Sequence, residues 1–497
     1  MKIASNRLRA GGSGIAWRIT MLAVLLLAVV PRLADALPQF ARQTGQNCVA
    51  CHAGGQFPEL TPYGRLFKMT GYTIGQRTVP LSVMGVVSNS RVADTTKSDM
   101  PADDFALNKR TIFATGSLFL AGKVTDNIGA FTQITYDNYA GQRADGSWFG
   151  HSAADNIDLR YADRFINEKR DLITGITINN HPSISDPWNT AAAWMQYVPV
   201  PSPNSSRFID GNAPYHGFAS GGNVAGLTAY AFLNQSYYLE LGGYGTSKGL
   251  ASFMSTGLND ASTTKLRGIN PYWRLAWTHE WGAHNLMLGT SGMTARIYDD
   301  PLNTSDPASV HRHRDLQLDA QYQYLLDPHA VTAQVAFGRN RHRYPASQAN
   351  QPVGNFVDAA GNAQADSNAV DTTNVLRLKL SYVYQARFGG SLGFFNLSGS
   401  TNSANQTSGF DPTLNTITSD PALASTVASQ RVSGNLSGNP GTRGLTFETF
   451  WMPLQNVRLG VQYTLYNRFN GASRNYDGFG RNAKDNNSLF FYLWAAY

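Results

Sequence analysis

The sequence predicts an all-β fold, an antiparallel β-barrel of about sixteen strands that spans an outer membrane. Three observations predict it: segments of about ten residues that alternate apolar and polar side chains, connections that alternate between tight turns and long polar loops, and a C-terminal segment, SLFFYLWAAY, that alternates up to Tyr497. Alternation of this length is typical of strands with one face toward lipid and the other toward a lumen. The strands of a soluble β-sandwich also alternate, but the strand length, aromatic content and connections argue against that fold.

The first 36 residues have the pattern of a secretory signal peptide. Residues 1–20 carry four basic residues and no acidic one, the apolar run MLAVLLLAVV follows at 21–30, and ADA at 34–36 is a small-x-small cleavage pattern. Ten apolar residues are too few to span a bilayer as a helix, and no later stretch reaches the length needed. Removing residues 1–36 lowers the net charge from +7 to +3. We therefore predict an exported chain, and nucleic-acid binding loses its main support.

The segment GQNCVACHAGG (45–55) contains both cysteines of the chain, Cys48 and Cys51, followed at once by His52. A structural zinc site normally needs four nitrogen or sulfur ligands, and no second Cys/His cluster has suitable spacing. A redox Cys-x-x-Cys is expected near a βαβ pattern, which the sequence lacks. Cys-x-x-Cys-His is the attachment signature of c-type haem, in which both thiols bind the porphyrin and the histidine binds iron. We favour one covalent haem c, with His52 as the proximal ligand, over a structural disulfide or another metal site.

The chain is thus predicted to consist of a signal peptide (1–36), a c-type monohaem segment (37–78) and a porin-like transmembrane barrel (79–497). The haem segment is near the lower length limit for independent folding, so haem and the surrounding wall must complete its core. A sixteen-stranded barrel leaves an aqueous lumen wide enough to hold it. Because the join GQRTVP (75–80) is short, we expect this segment to plug the lumen or to cap its periplasmic mouth.

Tight and long connections separate the predicted strands. The strands are expected to begin near residues 81, 109, 127, 156, 170, 225, 237, 270, 284, 313, 329, 374, 390, 443, 457 and 488. Tight turns are expected at VTDNIG (124–129), INEKR (166–170), NQS (234–236), EWGAH (280–284), LDPH (326–329), FGGS (388–391) and PLQN (453–456). Long polar connections include 180–223, 345–372 and 401–441. Bacterial outer-membrane barrels have short periplasmic turns and longer external loops, so the long connections are expected outside the cell.

Most of the chain after residue 36 resembles a known family, the fused outer-membrane monohaem cytochrome c–porins of iron-oxidising bacteria and their relatives. The segment LPQFARQTGQNCVACHAGGQFPELTPYGRLFKMTGY (37–72) is similar to the haem segment of that family almost throughout. The barrel motifs NNHPSISDPWNT (179–190), NPYWRLAW (270–277) and YDGFGRNAKDNNSLFFYLW (476–494) are similar as well. The first and last of these barrel motifs are specific, whereas single strands are not.

The resemblance implies an electron conduit across the outer membrane, with ferrous iron as the best-known extracellular donor. The leading hypothesis is that one haem passes the electron to a periplasmic cytochrome or copper protein. The chain would then act as an Fe(II)-oxidising oxidoreductase without catalytic side chains, in contact with outer-membrane lipid and not with nucleic acid. One rival is a porin whose haem is a structural plug. Another is a haem peroxidase-like enzyme, which needs an open sixth iron position and distal acid–base groups.

The distal iron ligand is open at the level of sequence. Met69 follows His52 by seventeen residues on a predicted short helix, and Met/His ligation would raise the redox potential. The family pattern usually has Leu at this place, and Met69 could instead pack against the porphyrin. Other possible ligands are Met84, Met100 and His181. Arg65 and Lys68, in YGRLFK, could pair with the haem propionates or could be solvated lumen charges.

Two basic runs flank the predicted tenth and eleventh strands. HRHRD (311–315) opens the tenth and RNRHRY (339–344) closes the eleventh, so both are expected at the outer rim. His311, His313 and Asp315 would share one face, which suggests a metal or partner contact. We favour the simpler interpretation, a charged rim that binds lipopolysaccharide phosphates or lines the lumen.

Overall fold

The structure is a computed structural model that describes most of the chain after the predicted signal peptide. The described residues are 38–55, 59–95, 107–142, 147–189, 223–255, 257, 264–306, 308–353, 365–406, 410–411, 416–417, 435–478 and 480–497. Residues 1–36 and Met100 therefore lie outside the described residues. In the ranges that are described, no helix is long and apolar enough to cross a membrane.

Sixteen antiparallel strands close into one barrel. They are β1 (Leu81–Val92), β2 (Thr111–Lys123), β3 (Ile128–Gln142), β4 (Trp148–Asn167), β5 (Arg170–Asn179), β6 (Val224–Leu233), β7 (Tyr237–Thr246), β8 (Asn270–Trp281), β9 (His284–Tyr298), β10 (Val310–Leu326), β11 (His329–Arg343), β12 (Val370–Tyr384), β13 (Phe388–Gly399), β16 (Thr442–Leu454), β17 (Val457–Arg468) and β18 (Ser488–Ala496). Two short strands, β14 (Phe410–Asp411) and β15 (Thr416–Ile417), pair with each other in a separate sheet. Strand β1 pairs with β18, with Met84 opposite Ala496, which closes the ring. The predicted number of barrel strands, about sixteen, and their antiparallel pairing are confirmed.

The strands present apolar side chains outward and polar side chains toward the lumen. In β10, Leu316 and Leu318 are 46% and 53% exposed, whereas the intervening Gln317 is 3% exposed. Successive side chains of a strand point to opposite faces, so one register serves both environments. The other strands repeat the outward row, with exposed leucine, isoleucine, phenylalanine and tyrosine side chains. The alternation that predicted the barrel therefore has the expected physical cause.

The two ends of the barrel differ in their connections. Seven tight turns form one end, which we call the turn rim; the opposite end is the loop rim. Six of the turns lie at the predicted places, whereas the one predicted at FGGS (388–391) lies at 385–387, because β13 already begins at Phe388. The main departure is β4, which begins at Trp148 rather than near residue 156. Its early part, including HSAADN (151–156), contains small and polar residues that obscure the alternation. It nevertheless pairs with β3 across a register shift.

Residues 38–78 contain three helices: α1 (Pro38–Thr44), α2 (Cys48–Cys51) and α3 (Pro62–Met69). The helices and the residues that connect them contact lumen-facing side chains on opposite sides of the barrel. Tyr72 donates its hydroxyl hydrogen to Asp158 of β4, and Glu59 pairs with Lys379 of β12. Phe40 stacks against both Tyr72 and Phe131 of β3. The segment therefore lies inside the lumen, next to the turn rim.

Candidate functional site

The Cys-x-x-Cys-His motif forms one helical turn and the residue that follows it. Cys48 and Cys51 begin and end α2, and neither forms a disulfide. Residues three apart lie on one face of a helix, so both thiols are on the same side. The backbone N–H of His52 donates to the carbonyl of Cys48 at 2.8 Å. His52 itself has an extended backbone conformation, so the helix ends before it. Two reduced thiols and an imidazole are the donor set that haem c requires.

Residues 59–61 hold this loop in place. The N–H of Ala53 donates to the carbonyl of Glu59 at 2.8 Å, and the N–H of Thr61 donates to the carbonyl of Cys51 at 2.9 Å. The Thr61 hydroxyl also caps α3 by accepting from the N–H of Gly64 at 3.1 Å. An Oγ that accepts at this position satisfies one of the unpaired donors at the start of a helix. The loop and α3 therefore form one unit.

The loop lies close to the turn rim. The N–H of Cys48 donates to Gln455 in the turn between β16 and β17, at 3.4 Å. Gly54 packs so tightly that a Cβ there would lie 2.6 Å from Val383, near the end of β12. A Cβ at Gly55 would lie 3.6 Å from Ala386, in the next turn. The candidate site is thus at one end of the barrel and not midway along it.

Burial governs the acid–base character of the motif. Burial lowers the pKa of His52 to about 4, and the nearby Glu59 carboxylate opposes this shift. Burial also raises the pKa of the Cys51 thiol to about 11. His52 is therefore a neutral imidazole at pH 7, the form that binds iron. Cys51 is a thiol and not a reactive thiolate, which does not fit a redox-active Cys-x-x-Cys pair.

Arg65 attaches α3 to the barrel wall. Its guanidinium donates to the carbonyl of Leu60 at 2.8 Å and to Asn285 of β9 at 2.6 Å. It also donates to Gln323 and Gln321 of β10 at 3.0 and 3.2 Å. Burial lowers its pKa to about 10, although carboxylates in the vicinity oppose the shift. The propionate contact of Arg65 stays a prediction. In the structure its side-chain partners are the amide groups of asparagine and glutamine residues in the barrel wall.

Lys68 bonds to a segment that enters the lumen from the loop rim. Its ammonium donates to the carbonyl of Asp186 at 2.8 Å and to Asn189 at 3.4 Å. Burial and the nearby Arg160 lower its pKa to about 8, while Asp158 and other carboxylates oppose them. No described contact tests a propionate role for Lys68.

The lumen segment (180–189) contains the short helix α4 (Pro182–Ser185) and is pinned by two arginines of the wall. Arg160 donates to the carbonyl of Ser185 at 2.6 Å, and Arg274 lies 3.1 Å from the carboxylate of Asp186. Trp188 is fully buried, with Arg274 over its ring at 5.5 Å. The sequence marked NNHPSISDPWNT as a family motif, but its docking on α3 was not predicted. No local pattern shows which distant side chains would bind it.

Met69 packs against the barrel wall. It is buried in one apolar cluster with Ile173, Trp188, Tyr230, Phe232, Tyr238, Ala276 and Met287. The Tyr230 hydroxyl also donates to the Met69 carbonyl at 2.7 Å. These contacts give Met69 a packing role, and its assignment as distal iron ligand stays a prediction. Of the other possible ligands, Met84 packs in a cluster beside β18, and His181 bonds to Ser183 and Asn156.

The histidines of the two basic runs lie near the loop-rim ends of β10 and β11, as predicted, and are buried there. His311 lies with its Nδ1 atom 2.8 Å from Nε2 of His342 and its Nε2 atom 2.9 Å from Asp299. His313 stacks on His342 with ring centroids 4.1 Å apart. Asp315 accepts a hydrogen bond from Asn340 at 2.8 Å. Within the part of the chain that the structure describes, no three His, Cys, Asp or Glu side chains are arranged to hold a metal ion.

No family model and no curated protein matches the chain. Solved structures with a similar fold include the outer membrane channel DcaP of Acinetobacter baumannii, at 12% identity and a TM-score of 0.41, covering 84% of this chain and 96% of that chain. Salmonella typhi OmpF, in a complex with daunomycin, is 12% identical with a TM-score of 0.41 and coverages of 84% and 97%. Pseudomonas putida OprB is 11% identical with a TM-score of 0.40 and coverages of 84% and 93%. At these values the likeness concerns the barrel fold alone.

Proposed function

We propose that the chain is an electron conduit of a bacterial outer membrane. It takes electrons from an extracellular donor, foremost ferrous iron, and delivers them through one covalent haem c to a periplasmic cytochrome or copper protein. The observation that carries the proposal is the Cys48–His52 loop, fixed inside a closed barrel. The closed wall would separate a haem held here from lipid.

The outer face of the barrel supports a membrane location. Its strands carry exposed apolar side chains, such as Leu227 and Leu241 at 59% and 52% exposure, in rows between the two rims. A monomer with so much contiguous apolar surface needs lipid or a partner to cover it. Closed barrels can span a bilayer because every backbone hydrogen-bonding group of the wall is paired. The tight turns would face the periplasm and the long connections the exterior.

The residues of the loop fit haem c. Cys48 and Cys51 would hold the porphyrin through thioethers, and His52 would bind the iron. Haem c, when bound, supplies a one-electron carrier. The chain positions this site through the clip at residues 59–61 and through Arg65. Because the loop lies near the turn rim, a periplasmic partner can approach it closely, whereas a donor must enter the lumen from the loop rim.

The structure fixes α3 to one part of the barrel wall. Arg65 and Lys68 fasten α3 toward β9, β10 and the lumen segment. Beside the Cys-x-x-Cys-His loop, a cavity of about 20 Å³, enough for one water molecule, is lined by residues of β11, β12, β13, β16 and β17. The closed wall around the loop keeps a folded protein donor away from it, so a donor must be small enough to enter the lumen. We therefore expect small donors to react faster than bulky ones.

The proposal is tested with the full-length chain expressed together with the haem c maturation system. We expect the mass of the purified protein to include one covalent haem and ferrous iron to reduce it. The variant Cys48→Ala/Cys51→Ala should lose both properties and keep the barrel, because strand pairing does not involve the loop. A wild-type protein without covalent haem, or with haem that ferrous iron does not reduce, would contradict the proposal.

The porin alternative predicts a different result. In it, residues 37–78 are a structural plug and solutes diffuse past them. Single-channel recordings in planar bilayers separate the two functions, since a porin passes a steady ionic current whether or not haem is reduced. We expect low conductance that rises when residues 37–78 are deleted. High conductance of the complete chain, together with haem that no donor reduces, would favour the porin.

A further inference from the structure

A partly buried ion pair joins the Cys-x-x-Cys-His loop to the barrel wall. The Glu59 carboxylate accepts a hydrogen bond from the ammonium of Lys379 in β12. Glu59 is 7% exposed, and its own carbonyl accepts the N–H of Ala53, the residue after His52. Leu60, the next residue, forms an isolated β-bridge with His52. The carboxylate therefore belongs to the stretch of backbone that lies directly against the proposed iron ligand.

The charges around Glu59 are balanced in pairs. Glu59, Lys379, Glu448 and Arg458 all line the cavity beside the loop. Arg458 donates to Glu448 at 2.8 Å, so its charge is compensated by a carboxylate of the neighbouring strand. Burial raises the pKa of Glu59, but Lys379, helped by Arg458, lowers it further than burial raises it. The loop therefore carries an ionised carboxylate whose main counter-charge comes from the wall.

We infer that Lys379 neutralises Glu59, so that neither charge shifts the redox potential of the group bound to His52, with Lys379 as a wall residue that acts through Glu59. This inference rests on the proposed function. An anion near the iron stabilises its oxidised, more positive state, and a cation stabilises its reduced state. In a site of low dielectric constant such charges act strongly, and groups next to the first ligands tune bound metals. While the two side chains are paired, their charges nearly cancel at the iron. When one of the two charges is removed, the remaining charge shifts the redox potential.

Three variants test the pair by redox titration of the haem absorbance at neutral pH. In Lys379→Gln the uncompensated carboxylate should raise the ratio of oxidised to reduced haem, at a fixed potential, by a factor on the order of ten. A tenfold change corresponds to a shift of about 59 mV for one electron. Glu59→Gln should change the ratio in the opposite direction, because Lys379 is then uncompensated. The double variant should return to within about twofold of the wild type.

Arg164→Gln is the matched control. It breaks another ion pair of the wall, in which Arg164 lies 2.6 Å from Asp171 beside the turn between β4 and β5. It should leave the ratio unchanged. Single-variant shifts of the same sign, or no larger than that of the control, would contradict the inference. Lys379→Arg, which keeps the charge, should behave as wild type, so a shift there would also contradict it. Wild-type protein without covalent haem would instead contradict the proposed function.

Discussion

Gly64 determines how closely α3 approaches the Cys-x-x-Cys-His loop. A Cβ at this position would lie 2.2 Å from the carbonyl oxygen of Cys51, a backbone atom that cannot rotate away. That same carbonyl accepts the N–H of Thr61, which fixes its direction. The absence of a side chain therefore brings together the loop, the clip and the start of α3. The positions of Cys51 and His52 depend on this contact.

Gly64→Ala should displace α3 from the loop and destabilise the protein by about 1–3 kcal/mol, as other overpacked sites do. Equilibrium urea unfolding in detergent measures the change, and the yield of covalent haem should fall with it. Gly393→Ala is the control, since a Cβ there meets its nearest neighbour, Thr446, at 3.4 Å. Equal stability of the two variants would show that α3 can move without cost.

Lys68 should make stability depend on pH in the alkaline range. Its pKa is about 8 in the folded chain and about 10.4 in an unfolded one. Between these values the unfolded chain binds the proton and the folded chain does not, so the free energy of unfolding rises with pH. The wild type should gain about 1–3 kcal/mol relative to Lys68→Met between pH 8 and 10.5. A difference that is constant across this range would contradict the burial of the ammonium.

At the scale of elements, the lumen segment and α3 cover the lumen together. The segment begins where β5 ends at Asn179, on the loop-rim side, and reaches Lys68 of α3. Trp188 fixes it, with its ring edge toward Tyr238 at a centroid distance of 5.3 Å. A solute that enters from the loop rim on this side meets the segment before it meets α3. The lumen segment should therefore limit passage through the barrel.

Trp188→Ala should release the lumen segment, because truncating a buried tryptophan typically costs about 3–5 kcal/mol. The expected result is a higher single-channel conductance in planar bilayers. Trp281→Ala is a suitable control, since this side chain is 42% exposed at the turn rim and does not contact the segment's cluster. Unchanged conductance in Trp188→Ala would mean that the segment does not restrict the lumen.

The elements also show what the sequence could predict. Strands such as β10 were predictable because lipid and lumen impose opposite demands on neighbouring residues, which leaves a local pattern. The Cys-x-x-Cys-His motif is visible in the sequence because its residues are adjacent, and haem attachment there stays a prediction. The docking of the lumen segment depends on Arg160 of β4 and Arg274 of β8. Both arginines lie outside the segment's own sequence, so its local pattern does not reveal them. Arg65 likewise finds amide partners in β9 and β10, and no spacing rule reveals them.

At the scale of the whole molecule, the first helices and the residues beside them bond to several sides of the barrel wall. Tyr72 bonds to β4 and Arg65 to β9 and β10. Glu59 bonds to β12, and Cys48 to the turn between β16 and β17. The cavity beside the loop lies against β11 to β17. This arrangement holds the Cys-x-x-Cys-His loop near the turn rim, inside the closed wall. A single cofactor can then serve both sides only if the donor enters the barrel.

Electron transfer across a sealed membrane tests this account most directly. The haem-loaded protein is reconstituted into vesicles that enclose an oxidised cytochrome, and a donor is added outside. We expect ferrous ions to reduce the enclosed cytochrome and a bulky protein donor to do so much more slowly. The Cys48→Ala/Cys51→Ala protein should transfer no electrons to it. Equal rates with small and bulky donors, or reduction of the enclosed cytochrome by the variant without haem, would contradict the account.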